Sequence, residues 1–122
     1  MKISEKKTVS KYTLYVGLND KDTHEQRLIM DRVVSLVIWA SNGYKSPITG
    51  QSGFGTYYSE SGEQVNEKSI VITLVDVSEE LAHEIAADLC AFLNQAEVMI
   101  TRENVERYYL QETIEANNTP LV

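Results

Sequence analysis

The sequence Ser-Ile-Val-Ile-Thr-Leu-Val at residues 69–75 decides the fold class. It is the clearest strand pattern in the chain, because apolar side chains occur on both of its faces. Ser78 follows directly, with Glu79 and Glu80 after it. A serine hydroxyl can accept a hydrogen bond from the first helical N–H groups, and acidic residues favour the positive end of the helix dipole. The stretch therefore predicts a strand followed by a helix that begins at Ser78.

Three more strands and one more helix surround this unit. Thr23 and Gln26 have the spacing of a capping box, so the first helix is predicted to begin at Thr23. The other predicted elements are strands over residues 11–16, 54–59 and 98–102. With right-handed crossovers, the order βαββαβ predicts an α+β, ferredoxin-like sandwich. Its four-stranded antiparallel sheet has the order 4-1-3-2 and carries both helices on one face.

The predicted domain covers residues 11–115. Residues 1–10 are predicted to form a flexible N-terminal arm, and residues 116–122 are predicted to form a flexible tail. Residues 103–114 are ambiguous, since they fit either an extension of the fourth strand or a third short helix.

The predicted sheet has one face without helices. Its candidate residues are partly apolar, and an exposed patch of that size usually marks an interface. We expect another element or a second copy of the chain to cover this face, and a homodimer is the first choice. The candidates are Thr13, Tyr15, Tyr57, Val71, Thr73, Val75, Met99 and Thr101.

Composition restricts the partners and the compartment. The net charge of −7 repels phosphate backbones, so long nucleic acids are not expected as partners. Cys90 is the single cysteine, which rules out an internal disulfide and fits a reducing compartment. Neither a secretory signal nor a membrane-spanning segment is expected. The cytoplasm is the expected location, and for a phage-encoded protein this is the host cytoplasm.

The residues that carry chemistry do not form a known catalytic pattern. His24 and His83 are the only histidines, and His83 is two helical turns, about 10 Å, from Cys90. Asp20, Asp22 and His24 alternate, but they lack the glycine and the glutamate of a calcium loop. No phosphate-binding glycine loop is present. We therefore expect no catalytic residue, no metal and no cofactor.

A ligand site is predicted at one end of the sheet. There the topology brings together the loop at residues 17–22, the hairpin at residues 59–67 and the turn at Asn94-Gln95. A helix N-terminus at this end could hold a phosphate or carboxylate, and tyrosine rings could stack on a nucleobase. The candidate ligand-binding residues are Tyr15, Asn19, Lys21, Thr23, Arg27, Tyr57, Arg102 and Arg107.

Residues 12–23 read Tyr-Thr-Leu-Tyr-Val-Gly-Leu-Asn-Asp-Lys-Asp-Thr. This run resembles the opening of a group of short bacterial and bacteriophage proteins without an assigned activity. The likeness extends to residues 69–75 and to Leu93-Asn94-Gln95. It implies a shared fold and a viral or mobile-element setting, and it transfers no site.

Three functional hypotheses follow. The leading one is a non-catalytic binding protein that captures a small anionic ligand such as a signalling nucleotide, which in a phage would blunt a host defence signal. The second is an acidic protein that inhibits a basic nucleic-acid-processing partner. The third is a small dimeric enzyme with a pocket on the sheet face.

Overall fold

The computed structural model describes residues 1–112. The elements are β1 (Lys2–Ile3), β2 (Lys7–Gly17), α1 (Met30–Tyr44), β3 (Thr49–Tyr58), β4 (Gln64–Val75), α2 (Glu79–Phe92), β5 (Met99–Arg107) and β6 (Leu110–Gln111). The large sheet is antiparallel with the order β3-β4-β2-β5, and β1 pairs with β6 in a second, two-stranded sheet. The predicted ferredoxin-like fold and its strand order are confirmed.

The core lies between one face of the large sheet and both helices. Side chains alternate between the two faces of a strand, so every second residue of β2 and β4 points toward the helices. Along residues 12–16 of β2 and residues 70–74 of β4 these positions are apolar, and α1 and α2 each add an apolar stripe. The buried cluster includes Tyr12, Leu14 and Val16 of β2, Ile70, Ile72 and Leu74 of β4, Val33 and Val37 of α1, and Ile85 and Leu89 of α2.

The opposite sheet face contains the residues predicted for it. Thr13 pairs with Thr73 of β4 and Thr101 of β5, which places all three on this face. Tyr15 pairs in the same way with Val71 and Met99. Tyr15, Tyr57, Val75 and Met99 are exposed, whereas Thr13, Val71 and Thr73 are half-buried. This face is called the open face below.

The first helix begins later than predicted. It starts at Met30, with Ile29 as an N-cap that makes no side-chain capping bond. Thr23 lies instead in a turn, where its hydroxyl accepts a hydrogen bond from the N–H of Glu25 at 3.3 Å. His24 has the left-handed φ of 61°, which a helix cannot contain. The predicted capping box at Thr23 is therefore wrong.

The second helix begins as predicted. The Ser78 hydroxyl accepts a hydrogen bond from the N–H of Leu81 at 3.1 Å, and Glu79 and Glu80 occupy the first turn. The helix ends at Phe92, and Asn94 two residues later has a left-handed φ of 48°.

The central strands are longer than their apolar cores. β2 pairs with β5 from Lys7–Arg107 to Tyr15–Met99, so residues 103–107 extend the strand. An ion pair of 3.4 Å between Lys11 and Glu103 supports this extension. Residues 1–10, predicted as a flexible arm, contain β1 and the first part of β2. The predicted tail at residues 116–122 lies outside the described residues. Among residues 1–112, no helix is long and apolar enough to cross a membrane.

Tyr44 links the two helices. Its hydroxyl, at the end of α1, donates a hydrogen bond to a carboxylate oxygen of Asp88 in α2. This bond, together with partial burial, raises the pKa of Tyr44 to about 12, because the neutral phenol is the donor and the adjacent negative charge opposes its ionisation.

We predict that Tyr44→Phe lowers the free energy of unfolding at pH 7 by about 1 kcal/mol, the usual value of one such bond. The folded pKa is raised above the unfolded value of about 10, so this contribution is complete below pH 10 and is lost as the pH rises through 12. Urea denaturation measures the loss, and the phenolate absorbance of the variant should lack one titration near pH 12. The exposed Tyr58→Phe is the control. Equal stability of the wild type and Tyr44→Phe would contradict the prediction.

Candidate functional site

A cavity of about 530 Å³ lies at one end of the open face. Its floor comes from four strands: β2 supplies Tyr15 and Gly17, β3 supplies Tyr57, β4 supplies Glu67 and β5 supplies Met99. Two loops form its walls, and they contribute Asn19, Asp20, Lys21, His24, Gln95, Ala96 and Glu97. The three segments that the topology predicts to meet at this end of the sheet therefore do meet.

Asp20 organises the first wall. Its side chain is only 3% exposed, and its carboxylate accepts hydrogen bonds from Arg27 (2.8 Å), Asn94 (2.9 Å) and the backbone N–H groups of Asp22 (2.8 Å) and Thr23 (3.0 Å). The bond from Arg27, and then those from Asn94 and Thr23, hold the pKa of Asp20 well below its usual range. Asp20 is thus ionised, and its oxygens are already occupied by donors.

Asn94 and Gln95 join the two walls. The Asn94 side-chain amide also donates to the Asp22 carboxylate at 2.9 Å, and the backbone carbonyl of Asn94 accepts from the N–H of Lys21 at 2.9 Å. The Gln95 amide donates to the carbonyl of Asn19 at 2.6 Å. The loop after β2 and the turn after α2 are therefore fixed to each other by side chains.

Glu67 presents a carboxylate to the cavity. One of its oxygens accepts a hydrogen bond from the backbone N–H of Asn19 at 3.1 Å, and the side chain is half-buried. Within residues 1–112, neither Glu67 nor Glu97 forms an ion pair. Of the residues that the structure describes, Lys21 is the one lysine or arginine that lines the cavity. The described lining thus has more carboxylate than cationic charge, which favours a cationic ligand. An anionic ligand, as first expected, fits it poorly.

Four of the eight predicted ligand-binding residues line this cavity: Tyr15, Asn19, Lys21 and Tyr57. The structure places the other four elsewhere. Thr23 and Arg27 belong to the Asp20 network. Arg102 donates to the Ser10 hydroxyl, and Arg107 pairs with Asp76 at 2.9 Å. The predicted helix N-terminus is also absent from the cavity, because α1 begins at Met30.

The predicted list of ligand-binding residues omits Glu67, Gln95 and Glu97, although Glu67 and Gln95 belong to segments that were predicted to meet at this end of the sheet. The sequence signal for Glu67 is the alternation of side chains along β4. This alternation places residues 67, 69 and 71 on the open face once the strand is taken to begin before Ser69. Glu97 and Gln95 follow α2 in a turn without a periodic pattern. Among residues 1–112, no three histidine, cysteine or acidic side chains are grouped so that they could hold a metal ion.

No protein-family model matches the chain, and no curated protein matches it in sequence. Solved structures do share its fold. A phage SAM lyase in complex with S-methyl-5'-thioadenosine superposes with a TM-score of 0.63 at 18% identity, over 84% of this chain and 90% of the other. A phage SAM lyase in the apo state gives a TM-score of 0.60 at 19% identity, over 87% and 92%.

These matches overturn the leading functional hypothesis. The prediction was a non-catalytic binder of a small anionic ligand, with no enzymatic activity. The two solved structures named above share the fold over most of the chain and are those of an enzyme, a lyase, and one of them holds a nucleoside-like small molecule. The prediction of a non-catalytic protein is therefore wrong.

We predict that Asp20→Asn lowers the free energy of unfolding at pH 7, because the exposed Arg27 and two backbone N–H donors lose a buried, charged acceptor. The folded pKa of Asp20 is depressed, so its contribution exists above the unfolded pKa of about 3.9 and is lost as the pH falls toward the folded value. Urea denaturation should show that the wild type has a higher free energy of unfolding than Asp20→Asn at pH 7. This difference in free energy should be smaller at pH 3. Glu60→Gln, at the exposed hairpin tip, is the control. A difference that is the same at both pH values would contradict this account.

Proposed function

We propose that this protein is an enzyme that cleaves S-adenosylmethionine (SAM) at its sulfonium centre and releases S-methyl-5'-thioadenosine. The observation that carries the proposal is the Glu67 carboxylate, which faces a cavity without an ion-pair partner among residues 1–112. The cavity occurs in a fold shared with a SAM lyase, and its volume of about 530 Å³ is within the usual range for small-molecule sites.

Charge supports this choice of substrate. SAM has a positive sulfonium, a positive ammonium and one carboxylate, so its net charge is about +1 at neutral pH. The chain has a net charge of −7, and Glu67 and Glu97 add local negative charge at the cavity. The field therefore attracts the substrate. The thioether product is neutral, so the same field does not retain it.

The two tyrosines of the cavity floor suit the rest of the molecule. Tyr15 and Tyr57 are exposed on the open face and line the cavity. A tyrosine ring can stack on an adenine base or lie against a sulfonium cation. Asn19, Gln95 and Lys21 are polar groups at the same cavity that can fix the orientation of a nucleoside.

The reaction needs no water. The bond between sulfur and Cγ of the methionine portion breaks, and its electron pair returns to sulfur. The substrate carboxylate supplies the new electron pair to Cγ and closes a five-membered lactone, so charge and atoms balance without a proton transfer. Because the sulfonium charge disappears in the transition state, a carboxylate placed against sulfur would favour the ground state. Glu67 therefore acts best on the ammonium group, whose charge is constant.

The wild-type protein incubated with SAM should release S-methyl-5'-thioadenosine and homoserine lactone, as measured by liquid chromatography with mass spectrometry. Glu67→Gln should lower kcat/KM by about 10- to 100-fold, the value of one charge-assisted bond. Glu63→Gln, on the same hairpin and away from the cavity, is the matched control. A wild type that releases no thioadenosine, or a Glu67→Gln variant as active as the wild type, would refute the proposal.

We also propose that the chain forms a homo-oligomer through the open face. Tyr15, Val75 and Met99 are exposed there, and a second copy stacked on them would remove apolar surface from water. Such a copy would lie beside the cavity, since Tyr15 and Met99 also line it.

We also propose the phage or bacterial setting that residues 12–23 imply, and the cytoplasmic location that goes with it. The phage origin of the two structural neighbours supports this setting.

Light scattering after gel filtration tests the oligomer. The wild-type mass should be at least twice the 13.8 kDa of one chain. Val75→Glu, at a residue 40% exposed on the open face, should return the protein to one chain. Val34→Glu, at a residue 42% exposed on α1, is the control and should leave the mass unchanged. A wild-type mass of 13.8 kDa would show that the open face is not an interface.

A further inference from the structure

The Glu67 carboxylate occupies the space that a side chain at residue 17 would need. Gly17 ends β2 opposite Ser69, two residues along β4 from Glu67 and on the same face. A Cβ built on Gly17 would lie 2.5 Å from one carboxylate oxygen of Glu67, and 2.7 Å from its carboxyl carbon and its other oxygen. These distances are far below van der Waals contact, so the carboxylate and a Cβ at residue 17 exclude each other.

Backbone conformation does not require this glycine. Within residues 1–112, Gly62 is the one glycine with a positive φ. Gly17 lies in regular β-strand, where L-residues are allowed. Its missing side chain matters because of the space it leaves, and that space is filled by Glu67.

The N–H that holds Glu67 is itself fixed. Asn19 donates this N–H to Glu67, while its carbonyl accepts from the Gln95 amide at 2.6 Å. On one side of it, the N–H of Leu18 bonds the carbonyl of Lys68 at 3.0 Å. The next residue along the chain is Asp20, whose carboxylate is held by hydrogen bonds from Arg27 and Asn94. The donor therefore has a defined position before any ligand binds.

We infer that Gly17 and the Asn19 N–H form a cradle that positions the Glu67 carboxylate at the cavity, with Gly17 acting as a positioning residue through Glu67. The effect on catalysis rests on the proposed function, since it assumes that Glu67 contacts the substrate. The cradle itself does not rest on it. Misplacement of a reacting or binding group by about 1 Å can lower a rate by about 100-fold. Residue 17 therefore affects activity through the position of the Glu67 carboxylate.

The alternative is that Glu67 only caps the Asn19 N–H and stabilises the loop. The two accounts differ in what Gly17→Ala changes. The atoms that block a Cβ are the end of a flexible side chain, so Glu67 can move aside at small cost to the fold. The cradle thus predicts a folded variant with a displaced carboxylate and reduced activity, whereas a capping role predicts a change in stability alone.

Gly17→Ala should keep its melting temperature within a few degrees of the wild type and lose about 10-fold or more in kcat/KM for thioadenosine release. In the Glu67→Gln background, the same substitution should cost less than 2-fold, because the group it displaces no longer acts. Gly55→Ala is the matched control: Gly55 pairs with Glu67 across the sheet, and a Cβ there meets nothing within 4 Å. It should leave the activity unchanged.

Nuclear magnetic resonance tests the cradle without activity. The Asn19 amide cross-peak should shift in Gly17→Ala and in Glu67→Gln, and it should stay in place in Gly55→Ala. If Gly17→Ala folds poorly, Glu67→Asp, whose side chain is one methylene shorter, should also withdraw the carboxylate and shift the same peak.

The outcomes separate the two proposals. An Asn19 amide that does not respond to Gly17→Ala or Glu67→Asp would overturn the cradle, whatever the activity. Full activity in Gly17→Ala, or an equal loss with and without Glu67, would overturn its role in catalysis. A wild type without thioadenosine release would refute the proposed function, and the Asn19 shift would still decide whether the cradle exists.

Discussion

The buried carboxylate of Asp20 is the interaction on which the cavity depends. An ionised carboxylate removed from water must be compensated by donors and charge. Asp20 obtains them from its own turn, from Arg27 and from Asn94, which is 74 residues away in the sequence. This set of donors exists only when the end of β2 lies beside the end of α2. The loop that walls the cavity therefore takes its shape only in the folded domain.

The alternation of side chains across the sheet supplies the floor. Along residues 12–16 of β2 and residues 70–74 of β4 the even-numbered side chains face the helices and fill the core, so the odd-numbered ones face the open side. Tyr15, Gly17 and Glu67 are odd-numbered members of these strands. The alternation that buries the apolar side chains on one face thus places an aromatic ring, a residue without a side chain and a carboxylate together on the other face. The side chains that form the core and the side chains that line the cavity therefore lie on opposite faces of the same strands.

Charge has a different meaning in the structure than in the composition. From the composition alone, a net charge of −7 indicates a soluble protein or one that attracts a basic partner. In the structure, Asp20 is neutralised by Arg27, whereas Glu67 and Glu97 face the cavity without an ion-pair partner within residues 1–112. The cavity is therefore suited to a cation. Together with the fold shared with a SAM lyase, this charge supports our proposal of a sulfonium substrate rather than an anionic nucleotide.

The sequence by itself determined the topology, the helix that begins at Ser78 and the end of the sheet where the cavity lies, because periodicity, caps and crossover handedness are local rules with few solutions. Tertiary structure decided the start of α1 and the role of Glu67. Near Thr23, local capping preferences favour a helix, but hydrogen bonds to a buried charge outweigh propensities of less than 1 kcal/mol per residue. In the sequence, Glu67 looks like any other charged residue of a hairpin. Only the pairing of the strands brings its carboxylate to the N–H of Asn19, 48 residues away.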